Sequence, residues 1–247
     1  MIGLFGKEKG LSSNKATEIF DYLTQKDIFS AIRRKYPSER REVLIEGYHD
    51  VKNKRIYLNL KAHNPKDLKY VQFMLFLFHV CHIIICFHPT YNFDQSYLRL
   101  FQCLESARNR LVNPLGKKLR HSRGIPKWWH NFGRSCNPRV IFYFATSPID
   151  LRGEKGMAEI IKKTGKLSRH PPIKRLEFSL EDQIHRIFKR ARITHTAYNL
   201  FNLSTKDNYV YVNNGDNGSI GETVQDALDY FYDELENGQI ESKLKLI

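Results

Sequence analysis

The sequence predicts a three-layer α/β/α domain on a mixed, mostly parallel sheet. Three observations carry this. Short runs of β-branched and aromatic residues alternate with amphipathic helical patterns along the chain, which is the order of a sheet covered on both faces. One pair of runs, separated by the polar stretch HDVKNK, reads as an antiparallel hairpin near the start. Two interior runs, HIIICF at 82–87 and VIFYFAT at 140–146, are apolar but for one end residue each, as parallel strands buried on both sides are.

Met1 to Phe5 opens the chain as a first strand. Residues 14–34 follow as a helix with Ile19, Phe20, Leu23, Ile28 and Ile32 inward. The hairpin runs are 42–47 and 54–61. Asn64-Pro65 punctuates the chain, and residues 67–80 form a helix with Val71, Leu75 and Phe78 on one stripe. Strand 82–87 stops at Pro89. A helix over 94–111 turns Leu98, Phe101 and Leu104 to the core. Residues 113–139, rich in Gly, Pro and basic side chains, lack periodicity and are expected to be an irregular surface insertion. Strand 140–146 restores the rhythm, and residues 147–175 are loop-like. A helix over 180–193 is expected to begin at Ser179, with Asp182 three on, and to bury Leu180, Ile184, Ile187, Phe188 and Ala191. NLFNL and YVYV are short strands. Asn214-Gly215 and Asn217-Gly218 mark a turn, and a last helix spans 223–235. This order is that of a P-loop GTPase G domain, in one domain over residues 1–247.

Composition narrows the partners. The chain carries a net charge of +14, which favours acidic ones. No secretory leader is expected, and the apolar run 71–87 is broken by His79 and His82, so no membrane partner is expected. The four cysteines, Cys81, Cys86, Cys103 and Cys136, form no CxxC pair and read as reduced thiols. The crowded HVCHIIICFH stretch holds the residue types that bind zinc. Its His79, Cys81, His82, Cys86 and His88 alternate across an extended segment and do not converge, so no metal is expected.

A nucleotide site in this fold needs G-x-x-x-x-G-K-[ST] after the first strand. GLFGKEKGLS occupies that place, with Gly3, Gly6, Glu8, Lys9 and Gly10 as a vestigial loop. Starting at Gly3, glutamate stands where the second glycine should approach phosphate. Gly10 stands where a hydroxyl should bind Mg²⁺. The DxxG position reads Lys61-Ala62-His63-Asn64, and the guanine-reading position reads Thr146-Ser147-Pro148-Ile149. Asp150-Leu151-Arg152-Gly153 has the DxxG letters but follows the wrong strand. Three separate elements fail, so no bound nucleotide or other cofactor is expected; no Ser/His/Asp set or carboxylate pair stands at usable spacing, so no catalytic residue is expected. Lys7 and Lys9 read as a solvated basic turn.

Two segments carry a resemblance. VCHIIICFHPTYNFDQSYLRLF at 80–101 and LEDQIHRIFKRARI at 180–193 are similar to signatures of the SMG-eight family of nonsense-mediated mRNA decay factors, and IGLFGK resembles that family's opening strand. Members are much longer, so the resemblance implies an N-terminal G-domain-like part. It also implies a non-catalytic subunit that pairs with an SMG-nine-like G-domain protein as a heterodimer. That pair binds and regulates the SMG-one kinase complex, in the cytoplasm or also in the nucleus. Pairing across the C-terminal ends of the strands would put His63, Asn64, His88, Tyr91, Ser147 and the 3–12 loop at the contact. The alternative is RNA binding. Residues 106–149 hold no acid but carry Arg108, Arg110, Lys117, Lys118, Arg120, Arg123, Lys127, Arg134 and Arg139, with Trp128 and Trp129 available to stack on bases.

Overall fold

The computed structural model describes residues 1–6, 19–21, 23, 26, 29, 43–62, 68–134, 136–148, 171–193, 199–203 and 208–213, without the Trp128 side chain. The strands are β1 (Ile2–Gly6), β2 (Val43–Asp50), β3 (Arg55–Ala62), β4 (Ile83–His88), β5 (Arg139–Phe144) and β6 (Val210–Val212). The helices are α1 (Leu68–Val80), α2 (Ser96–Arg120), α3 (Lys127–Phe132) and α4 (Pro172–Arg190). The sheet order is β2-β3-β1-β4-β5-β6. β2 pairs antiparallel with β3, and every other pairing is parallel. This is the predicted mixed sheet of a G-domain-like fold.

Alternation along the strands divides the interior into two layers. Phe5, Ile84, Cys86, Val140, Phe142 and Phe144 face one side, where Tyr70, Met74 and Phe78 of α1, Phe101 and Leu104 of α2, and Ile184 and Phe188 of α4 meet them. Ile2, Leu4, Ile83, Ile85, Phe87, Ile141 and Tyr143 face the other, against Ile19, Phe20 and Phe29. Ile19 and Phe20 are buried as expected and Leu23 is partly so. Ile28, Ile32, the 214–218 turn and the 223–235 helix lie outside the described residues.

Several expectations change. The buried residues of α1 are Tyr70, Met74, Leu77 and Phe78, while Val71 and Leu75 are only partly covered. The helix is apolar on nearly every side, so its periodicity could not choose a face. NLFNL is not a strand: it makes one isolated bridge, Arg139 to Asn202, although Leu200 and Phe201 are fully buried. The helix expected over 180–193 starts at Pro172, not Ser179. Proline at the first position has no N–H to waste, and Ile173 and Leu176 extend the apolar face one turn upstream of Leu180. Glu177 in that added turn is buried. Its Oε1 accepts the Val212 N–H at 3.0 Å, and its other oxygen pairs with Lys174 at 2.8 Å, which ties α4 to β6.

The largest correction concerns 113–139. α2 runs through Pro114 to Arg120, and α3 packs back on it. Proline inside a helix costs roughly 3 kcal/mol. The continuation is held by tertiary contact instead: Gly116 is buried against the His130 carbonyl, and Gly133, left-handed at φ 65°, ends α3 with its N–H on the Trp129 carbonyl at 2.8 Å. The Arg134 guanidinium then donates to the carbonyls of Leu200 (2.9 Å) and Asn199 (2.8 Å) and to Asn137 Oδ1 (2.8 Å). This clamp sets Leu200 and Phe201 into the core.

At the other end of the sheet the Met1 amino group donates to His82 Nδ1 at 2.9 Å. Burial, with the amino group beside it, pushes the His82 ring down to about 4, so it stays neutral with its proton on Nε2.

Two predictions follow from this packing. A methyl group at Gly116 would overlap the His130 backbone. Gly116→Ala should therefore lower the melting midpoint, even though alanine gains about 1 kcal/mol of helix propensity over glycine. For His82, an unfolded histidine titrates near 6.5. Between about 4 and 6.5 the unfolded chain takes up a proton that the folded one does not. Stability is thus complete above pH 6.5 and falls as pH drops through that window. Urea midpoints measured across that range should fall less steeply for His82→Gln than for the parent.

Candidate functional site

The parallel strands β1, β3, β4, β5 and β6 end on one rim, the place where ligands bind in open α/β sheets. β1 brings Gly6 there. The Tyr70 hydroxyl donates to its carbonyl at 3.1 Å, and burial raises that phenol far above its ordinary range, so it remains a neutral donor. A Cβ on Gly6 would come within 2.9 Å of Phe87 Cβ and 3.0 Å of its carbonyl oxygen. A Cβ on Gly3 would come within 2.8 Å of Cys81 Sγ. Gly3 is paired across Leu58 on β3 and Ile84 on β4. Both glycines therefore have a packing reason to be glycine. Glu8, Lys9, Gly10, His63 and Asn64 lie outside the described residues.

His88 closes β4, and the structure corrects its expected place on the rim surface. It is 1% exposed. Its ring stacks on Phe144 at 4.8 Å and meets Tyr97 at 5.2 Å and Phe93 at 5.5 Å. Nε2 lies 3.5 Å from Cys86 Sγ. The side chain alternates inward with Ile84 and Cys86, so it belongs to the core and cannot touch a partner. Ser147 is likewise buried. Tyr91 is 40% exposed and stands in an exposed crest, Pro89 to Asn92. The crest is fixed from below: Ala145 N–H donates to the His88 carbonyl at 2.8 Å, and Thr146 Oγ1 to the Pro89 carbonyl at 3.4 Å. In the turns after β4 and β5, residues 89–94 and 145–148, Asp94 is the single charged side chain. It accepts from the Ser96 N–H at 2.9 Å and from its hydroxyl at 2.6 Å, at the start of α2. These turns offer a phosphate no cation. They offer a protein an aromatic ring on a rigid base.

Burial divides the basic side chains of residues 106–139 into two groups. Arg108 and Arg134 are buried, with both guanidinium groups lowered by burial, Arg134 to about 10. Arg110, Lys117, Lys118, Arg120, Arg123 and Lys127 are exposed. Trp129 is half-buried in a groove between α1 and α2. The sequence reading missed this groove. Its signals were present: α1 apolar all round, and Leu111, Leu115 and Leu119 continuing at four-residue spacing through Pro114. Among the described residues no group of three or more His, Cys, Asp or Glu side chains could hold a metal ion, and no helix is long and apolar enough to cross a membrane.

Comparison with known proteins adds the following. A family model described as Smg8_Smg9 matches residues 62–247. The chain is 29% identical to the nonsense-mediated mRNA decay factor SMG8 of Xenopus tropicalis, over 86% of this chain and 26% of that protein. It is 27% identical to the factor of the same name from Culex quinquefasciatus, over 65% of this chain and 16% of that one. It is 25% identical to that from Aedes aegypti, over 68% and 17%. The chain thus spans about a quarter or less of the length of these relatives.

Core and crest separate cleanly in a stability measurement. His88→Glu buries a charge among aromatic rings and should cost about 3 kcal/mol or more. Tyr91→Glu, on the exposed crest, should stay within about 0.5 kcal/mol of the parent. Urea unfolding of the two variants checks both.

Proposed function

The chain belongs to the Smg8_Smg9 family, and from that premise we propose that it is a non-catalytic component of nonsense-mediated mRNA decay that works by pairing with a second G-domain-like protein. The partner is an SMG-nine-like G domain, and the pair regulates the SMG-one kinase in the cytoplasm. The names of these relatives support the pathway. The observation that carries the pairing is the crest around Tyr91, at the rim where a G domain would hold nucleotide. An exposed aromatic ring on a fixed, nearly uncharged base suits a protein contact, since tyrosine is a frequent anchor of interfaces. The degenerate loop over 3–12 supports a contact that needs no Mg²⁺-nucleotide. No cofactor is invoked.

Light scattering of the chain mixed with an SMG-nine-like G domain tests this. A one-to-one complex should form equally well with EDTA and with Mg²⁺ and GTP. Tyr91→Glu should weaken it about tenfold, as loss of an interface anchor does. A chain that stays monomeric beside excess partner refutes the pairing. A complex that needs Mg²⁺-nucleotide on this chain refutes the non-catalytic reading.

A further inference from the structure

The groove between α1 and α2 lies at the end of the sheet where the strands begin. Met1 precedes β1, Val80 precedes β4 and Arg134 precedes β5, and all three line it. Its volume is about 420 Å³, in the range of ligand-binding clefts. One wall is α1, through Leu75, Phe76 and Val80. The other is the part of α2 beyond Leu111, with Leu115 and Leu119 one and two turns on. Trp129 and Gly133 of the α3 region close it.

Two features set this surface apart. First, α1 exposes large apolar side chains on the side turned away from the core, beside Lys69 and Gln72. Phe76 is 48% exposed, Phe73 37%, and Leu111 across the groove 37%. A helix that faced only water on that side would carry polar residues there. Secondly, the charge around the groove is predominantly positive: Glu105, beside Arg108 and Arg134, is the one acid of α2. Neither α1 nor residues 106–134 contain an Asp or Glu, while Lys69, Arg110, Lys117, Lys118, Arg120 and Lys127 are exposed.

From this combination we propose that the groove docks an amphipathic helix of a partner protein, with apolar residues at i, i+3, i+4 and i+7 in the cleft and acidic residues along its edges. A helix laid into an apolar groove presents that spacing. The basic margins on both sides select acidic flanks and steer them in. A second copy of this chain is disfavoured by the same charges, since two such surfaces repel. Single-stranded nucleic acid would find the basic margin, but the largely aliphatic floor of Leu75, Leu111, Leu115 and Leu119 gives its bases few partners. This site is independent of the Tyr91 rim and lies at the opposite end of the sheet, so both can be filled at once.

The test uses the whole chain and a fluorescein-labelled helical peptide with leucines at that spacing and Glu and Asp on its flanks. A twin peptide carries Lys at every acidic position. Anisotropy at physiological salt should show the acidic peptide binding and the Lys twin at least about tenfold weaker. The signal of the acidic peptide should fall as salt rises. Phe76→Glu and Leu111→Glu replace half-exposed side chains, so melting midpoints should hold while each weakens the peptide about tenfold or more. Tyr91→Glu should leave peptide binding unchanged, which separates this site from the rim. The proposal is overturned if neither peptide binds, if both bind equally, or if the two groove variants bind like the parent. It is also overturned if a single-stranded RNA oligonucleotide displaces the peptide and loses binding in Phe76→Glu. Concentration-dependent dimerisation of the chain that Phe76→Glu abolishes would assign the groove to a second copy instead.

Discussion

The ring of Phe101 meets rings from every helix layer on its side of the sheet. Phe5 of β1 lies 6.5 Å away, Phe78 of α1 6.1 Å, Tyr97 of its own helix 5.6 Å, Phe188 of α4 5.9 Å and Phe201 5.2 Å. Each such pair contributes roughly 0.5–1.5 kcal/mol beyond the area it buries. No single contact is large. Their convergence fixes three helices and an irregular segment against one strand, so the angle of each helix is set by all the others. The Arg134 clamp depends on this, because the carbonyls it holds belong to the segment that delivers Phe201.

That arrangement also decides which residues reach the two ends of the sheet. The strand ladder pins Gly6 and His88 at the C-terminal rim, but alternation turns His88 into the aromatic layer and leaves Tyr91, three residues later, to meet solvent. At the opposite end, α1 must present Tyr70, Met74, Leu77 and Phe78 to the sheet, which leaves Phe73 and Phe76 outside. The length of α2 beyond the core supplies the facing wall. Among the described residues the domain thus shows two different surfaces, one nearly uncharged and one largely apolar with a basic margin.

The net charge of +14 is distributed in keeping with this. The cations concentrated between residues 108 and 134 include two that serve the interior, Arg108 and Arg134, and six that remain in water. A basic stretch read as a string gives all of them the same role. Burial separates them, because desolvation lowers a guanidinium's tendency to stay charged and only hydrogen bonds of the kind Arg134 makes offset that cost.

The sequence by itself determined the mixed, mostly parallel sheet, the antiparallel hairpin, the doubly buried β4 and β5, and the inward face of α4 through Ile184 and Phe188. These follow from periods of 2 and 3.6, which are local. It also showed the departures from a phosphate loop, since those are matters of residue identity at fixed spacing. Tertiary structure decided what local pattern left open. α1 is apolar all round, so only the sheet could select its face. Pro114 and Gly116 read as helix breakers until α3 packs on the helix and holds it through them. Pro172 looked like loop until α4's first turn found β6. His88 is polar by composition and buried by alternation, because one residue of register places it beneath Tyr97 and Phe144 and not in water. In each case the deciding contact joins residues of different elements, and local periodicity carries no record of that pairing.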